Sequence, residues 1–157
     1  HVVGSTAEFD FTQQTMNLDL KREGISNVGP VRVKGKIENL GDRVFQADGQ
    51  IEVTATGLCS RCLTQTKVRF AMDFSLKFSD ILAQSEELIK FDGEEIELYP
   101  QVVNEIILNC PSQILCKTDC KGLCPKCGAN LNTSICKCET ENLDPRFAVL
   151  KKLLKSE

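Results

Sequence analysis

The stretch CKGLCPKCGANLNTSICKC, residues 120–138, carries five of the chain's nine cysteines. Thiols packed this densely must end as disulfides, metal ligands or redox groups, and each choice dictates a different fold. The start of the chain, HVVGSTAEFD, has no apolar run of the ~7–15 residues typical of a secretion signal, and no stretch of about 18 apolar residues suits a membrane span. A cytoplasmic location is therefore expected, where thiols stay reduced and clustered pairs read as metal ligands.

LCSRCL places Cys59 and Cys62 between two predicted strands, near a hairpin tip. A C-x2-C pair in a tight turn can aim both sulfurs at one ion, half of a tetrahedral zinc site. Redox dithiols of this spacing normally open a helix, whose dipole lowers the thiol pKa; a hairpin favours metal. CPKCG supplies Cys124 and Cys127, with Pro125 and Gly128 suited to a turn that points N–H groups at thiolate sulfurs. CKC adds Cys136 and Cys138, and this zinc-knuckle pattern can close a four-sulfur site if the chain bends between them. In an extended strand the two sulfurs would share a face but start well apart.

Cys116 and Cys120 can also chelate, and we assign them to complete the site begun by Cys59 and Cys62. Eight cysteines then hold two zinc ions, and Cys110 remains as a core thiol on the apolar face of a helix. A single site from Cys120, Cys124, Cys127 and either Cys136 or Cys138 is the alternative. An iron–sulfur cluster also accepts four cysteines.

Around the cysteines the pattern is that of a sheet. KVRFAMDFSLKFS alternates Val68, Phe70, Met72, Phe74, Leu76 and Phe78 on one face. VRVKGKIEN (31–39) and VFQADGQIEVTATG (44–57) alternate as well, and a short strand is expected at EIEL (95–98). YPQVVNEIILNCP has Val102 or Val103, Ile106, Ile107 and Cys110 at helical spacing, between Pro100 and Pro111. A terminal helix is predicted from Asp144 as N-cap and Pro145 at the first position, with Phe147, Leu150, Leu153 and Leu154 as its apolar stripe. The expected fold is α+β: an antiparallel β-sheet with a packed helix, a C-terminal zinc-knuckle segment and a short terminal helix. Residues 1–115 form the β-rich core domain, and 116–157 the cysteine-rich segment packed on it.

Charge is uneven. The formal total is −3, yet residues 80–105 carry one Lys and eight acids. Two four-thiolate zinc sites would take the total to about −7. Nucleic-acid binders are usually basic, so composition gives no dominant phosphate surface. Lys117, Lys121, Lys126 and Lys137 offset the thiolates, and Lys151, Lys152 and Lys155 complement the terminal helix dipole. Lys121, Lys126, Lys137, Lys151 and Lys152 are the candidates for contact with RNA or a partner. The acidic 80–97 stretch reads as a loop that could engage a basic protein by charge complementarity. Catalysis is hard to build: His1 is the sole histidine, a hydrolytic zinc site needs an open position, and no P-loop, dinucleotide fingerprint or nucleophile elbow is present.

LCSRCL in a hairpin, the NEIIL--P segment, DCKGLCPKCGANLN with CKC, and the terminal DPRFAVLKKLL together resemble the YceD family of large ribosomal RNA subunit accumulation proteins, in its low-GC Gram-positive branch. The likeness extends from about residue 8 to 155. It implies a bacterial cytoplasmic protein, without enzymatic activity, needed for accumulation of large-subunit ribosomal RNA. Cys59 and Cys62 match the family's shared pair; Cys116 and Cys120 stand where other branches place a His and a Cys. Cys124, Cys127, Cys136 and Cys138 belong to a branch-specific insertion. The expectation is a non-catalytic ribosome-biogenesis factor that binds a large-subunit RNA precursor, a large-subunit ribosomal protein, or both, with no membrane or small-molecule substrate. A redox-responsive zinc-thiol protein is the alternative.

Overall fold

The computed structural model describes residues 2–20, 24–81, 88–92 and 95–138. The predicted terminal helix, with Asp144, Pro145, Lys151, Lys152 and Lys155, lies outside them, as do Glu86, Glu87 and Glu94 of the acidic stretch. The chain divides into two compact units, His1–Cys120 and Lys121–Glu157. Cys116 and Cys120 therefore belong to the first unit, whereas the sequence reading places a boundary after residue 115.

The first unit is a five-stranded sheet in sequential order. Its strands are β1 (Thr6–Gln13), β2 (Ile25–Gly41), β3 (Val44–Leu58), β4 (Gln65–Ser79) and β5 (Leu88–Lys90), followed by the helix α1 (Tyr99–Asn109). The first four form an antiparallel meander; β5 instead pairs parallel with the end of β4, Phe78 opposite Ile89. The strand expected at 95–98 is not formed: Glu95–Leu98 leads straight into α1, and the short strand sits earlier, at LIK. β1 is a strand beyond those expected from the sequence, and TAEFDFTQ alternates in the usual way, with Ala7, Phe9 and Phe11 on one side.

Period-two alternation sorts the side chains. Val31, Val33, Ile51, Val53, Met72, Phe74 and Phe78 are buried on the inner face, while Arg32, Lys34, Glu52 and Asp10 occupy the outer one and pair in exposed salt bridges. Such exposed pairs, screened by solvent, contribute little, so burial of the inner face, at about 1.5–3 kcal/mol per large aliphatic or aromatic side chain, carries the fold. α1 buries Val102 and Ile106 against that face. Its Ile107, expected inside, is half exposed because the burial stripe follows 102 and 106. Gly35 and Gly49 lie opposite each other on β2 and β3, flanked in register by Phe9 and Phe74. The two rings stack over the gap with centroids 6.4 Å apart. A Cβ at Gly49 would meet the Phe74 ring at 2.8 Å and the Lys34 carbonyl still closer; the glycines make room for the aromatic pair.

Candidate metal centres

The hairpin between β3 and β4 holds Cys59 and Cys62. Cys59 N donates to Thr64 O at 2.9 Å and Leu63 N to Cys59 O at 2.9 Å, with Leu63 in the left-handed region at φ 58. This tight turn points both sulfurs the same way. The segment after α1 is stitched to the turn: Ser60 N donates to Ile114 O at 2.7 Å, and Ile114 N to Ser60 Oγ at 3.1 Å. Ile114 itself is fully buried in the core. Arg61 Nη1 donates to Cys120 O at 3.0 Å. Cys116 and Cys120 are thereby brought in, with Sγ–Sγ distances of 3.8 Å for Cys59–Cys120 and 3.6 Å for Cys62–Cys116. All four Sγ atoms lie within 4.8 Å of one another. Cys59, Cys62 and Cys120 are buried and Cys116 half-buried.

The second quartet is Cys124, Cys127, Cys136 and Cys138, again with all Sγ atoms within 4.8 Å. A knuckle turn presents the first two: Cys124 N donates to Ala129 O at 2.8 Å, Gly128 N to Cys124 O at 2.9 Å, and Gly128 adopts φ 72. Lys126 N points at Cys124 Sγ, 3.4 Å away. The bend needed in CKC is present: Cys138 N reaches back to Cys136 Sγ at 3.3 Å, and no strand forms there. Asn130 sets the return path. Its carbonyl accepts from Thr133 N, Ser134 N and Ser134 Oγ, and its Oδ1 accepts from Asn132 N at 2.9 Å. Asn132 Oδ1 accepts from Lys121 N at 3.0 Å. Cys136 Sγ then sits 3.3 Å from Cys124 Sγ and 3.5 Å from Cys127 Sγ. Cys124 is buried and Cys127 exposed.

Neither quartet contains a disulfide. A tetrahedral ion with sulfurs at ~2.3 Å separates them by about 3.8 Å, which matches these spacings. A multi-iron cluster needs its ligand sulfurs spread farther apart than one ion does. Each quartet could therefore hold one metal ion, and four thiols are a donor set consistent with zinc.

Electrostatics point the same way. Burial raises the Cys59 pKa, but N–H groups of Cys116, Cys62 and Arg61 outweigh it and bring the thiol down to about 6. N–H groups of Cys127 and Lys126 bring Cys124 down to about 6. Burial first, then the neighbouring thiols, push Cys116 up to about 12. The thiols of Cys136 and Cys127 push Cys138 up to about 12. Cys62 is lowered along with Cys59, by the Thr64 hydroxyl first, and Cys136 is raised along with Cys138; a bound dication would favour the thiolate form of all four sulfurs in each quartet.

Of the remaining predicted residues, Lys121, Lys126 and Lys137 are exposed, interspersed among the cysteines of the second unit. Cys110 is half-buried just past the end of α1, packed against the core, with its Sγ 3.8 Å from Pro111 O. Sequence reasoning missed Ser60, Arg61 and Ile114 around the first quartet, and Asn130 and Asn132 around the second. Only the asparagines carried a signal, as side chains that habitually close turns.

The family described as large ribosomal RNA subunit accumulation protein YceD matches residues 47–154. YlbN of Bacillus subtilis is 30% identical over 96% of this chain and 89% of its own length. An uncharacterized protein of Mycobacterium tuberculosis is 28% identical over 78% of this chain and 61% of its own, so the chain spans about three fifths of that relative. The chloroplastic YCED homolog 1 of Arabidopsis thaliana, named as a large ribosomal RNA subunit accumulation protein, is 25% identical over 69% of this chain and 44% of its own length. No solved structure matches.

Proposed function

Because this chain belongs to the YceD family, we propose that it is a non-catalytic ribosome-biogenesis factor supporting accumulation of large-subunit ribosomal RNA, with two structural zinc ions. It acts in the cytoplasm, through a large-subunit RNA precursor, a large-subunit ribosomal protein, or both. The observation that carries the non-catalytic part is the donor set: four sulfurs converge in each quartet, so a tetrahedral ion there keeps no position for water or substrate. Among the described residues no helix is long and apolar enough to cross a membrane. In this reading Lys121, Lys126, Lys137, Lys151 and Lys152 are the candidate contacts.

Sedimentation of lysate at low and raised salt tests the reading. Co-migration with large-subunit precursors, weakening as salt rises, is the expected result; migration only at the top of the gradient under both conditions would sink it. The exposure of Cys127 favours a second reading, in which oxidation of the second quartet releases zinc and changes what the protein binds. Ordered zinc loss at sub-stoichiometric peroxide supports that reading, and inert, retained zinc rejects it.

A further inference from the structure

The inner face of the sheet has a second feature, within the first unit, that the metal centres do not use. A groove of about 800 Å³ opens between β1 and the chain running from β5 into α1. Phe11 of β1 and Phe78 of β4 line it, together with Phe91, Ile96 and Tyr99. Phe78 is fully buried, whereas Phe11 is 40% and Tyr99 49% exposed, so the groove has an apolar floor and accessible aromatic lips. Its rim is acidic: Asp92, Glu95 and Glu97 are exposed, against the single cation Lys90. Lys90 is already engaged with Asp92 at 3.2 Å. Among the described residues neither Glu95 nor Glu97 is in an ion pair.

Two properties select the occupant. Carboxylates at the rim repel phosphates and attract cations, which disfavours a nucleic-acid strand and favours a basic segment. Phe11 belongs to β1, the end strand of the sheet, whose outer backbone edge has no strand partner among the described residues. An apolar groove beside an open strand edge suits an extended peptide, which gains backbone hydrogen bonds there while a bulky side chain fills the groove.

We propose that this groove binds an extended lysine- or arginine-rich peptide segment of a partner protein, anchored by an apolar or aromatic side chain. The proposal deepens the assembly reading and rests on it only for the partner's identity: ribosomal proteins of the large subunit are typically very basic.

The test uses the purified full chain loaded with zinc and a fluorescent peptide of alternating lysine and phenylalanine, followed by anisotropy. Binding should weaken steeply with salt. It should fall about tenfold in Tyr99→Ser and again in a Glu95→Gln, Glu97→Gln double variant. Both changes are at exposed positions, and circular dichroism checks that the sheet persists. Equal binding of a lysine–serine peptide would reduce the groove to a general acidic surface and overturn the proposal, as would indifference to both variants. Displacement of the peptide by a single-stranded RNA oligonucleotide, sensitive to Tyr99→Ser, would assign the groove to RNA and overturn it too. If peptide binding fails while the protein still co-sediments with large-subunit precursors, the groove proposal falls alone. If the peptide binds without co-sedimentation, the assembly reading falls alone.

Discussion

The two cysteine quartets share a donor set and differ in what they join. The first links residues 54 and 61 positions apart, Cys62 to Cys116 and Cys59 to Cys120; the second links residues 9 and 12 apart, Cys127 to Cys136 and Cys124 to Cys136. Loop-closure entropy alone separates closures of 54 and 12 residues by only about 1 kcal/mol. Burial separates them further. Three of the first four cysteines are buried beside a core residue, Ile114, whereas in the second only Cys124 is. Emptying the first quartet would leave buried thiolates that must take up protons, and would undo the closure between the hairpin and residues 116–120. The first quartet should therefore be part of the sheet's stability, and the second should stabilise only its own knuckle.

The sharpest way to break this contrast is to remove one ligand from each. Cys62→Ser should lose one zinc per chain by elemental analysis and destabilise the sheet by more than about 3 kcal/mol in denaturant unfolding followed by circular dichroism. Cys127→Ser should lose the other zinc, locally unfold 121–138 at most, and shift the sheet transition by less than about 0.5 kcal/mol. Loss of both metals in either variant would show that the two quartets are not independent.

A second prediction tests the role of the core under the first quartet. Ile114→Ala opens a cavity beneath the hairpin and should cost about 2–5 kcal/mol. Its backbone pairs with Ser60, so the first zinc should also become easier to strip with a chelator while the second does not. Equal sensitivity of both ions would mean that Ile114 acts on the fold at large and not on the centre above it.

What the sequence made legible follows from the range of the forces involved. The strands at 67–79 and 44–57 could be read because alternation is local, and the helix could be read from Pro100 and its apolar spacing. Phe9 and Phe11 alternate just as plainly, so the sequence carries β1 as clearly as it carries the other long strands. The placement of β5 was not legible, since a three-residue strand has too little pattern and its parallel pairing with β4 is a tertiary contact. In the second quartet, C-x2-C with Gly128 exposes its own turn. In the first, the partners of Cys59 and Cys62 lie beyond two strands and a helix. Only the count of remaining thiols, and the resemblance, pointed to Cys116 and Cys120. The hydrogen bonds of Ser60 and Arg61 across that distance leave no local trace at all.

The third prediction addresses the second quartet from outside its ligands. Asn130→Ala removes the Oδ1 acceptor that orders Asn132 and the return toward Cys136. Loss of such supporting contacts typically costs about 10–100-fold in metal affinity. Competition with a chromophoric chelator should show that loss at one zinc only, with the sheet transition unmoved. A shift of the sheet transition would contradict the local character assigned to the knuckle.

The smallest expected effect is Arg61→Ala. The guanidinium donates to Cys120 O from a largely solvated hairpin tip, so the charge-assisted bond is worth about 1 kcal/mol after screening. That is too little to release the ion, but Arg61 is the side chain that ties the hairpin to the last ligand of the first quartet. Its removal should therefore accelerate zinc loss to a chelator several-fold, about in proportion to 1 kcal/mol, and leave the equilibrium zinc content at one per quartet. Arg61→Lys, which keeps the charge but not the planar donor, should behave like the alanine variant if the hydrogen bond matters. If lysine restores the wild-type rate, the residue acts through charge alone, and the first quartet owes its hold to burial and not to this clasp.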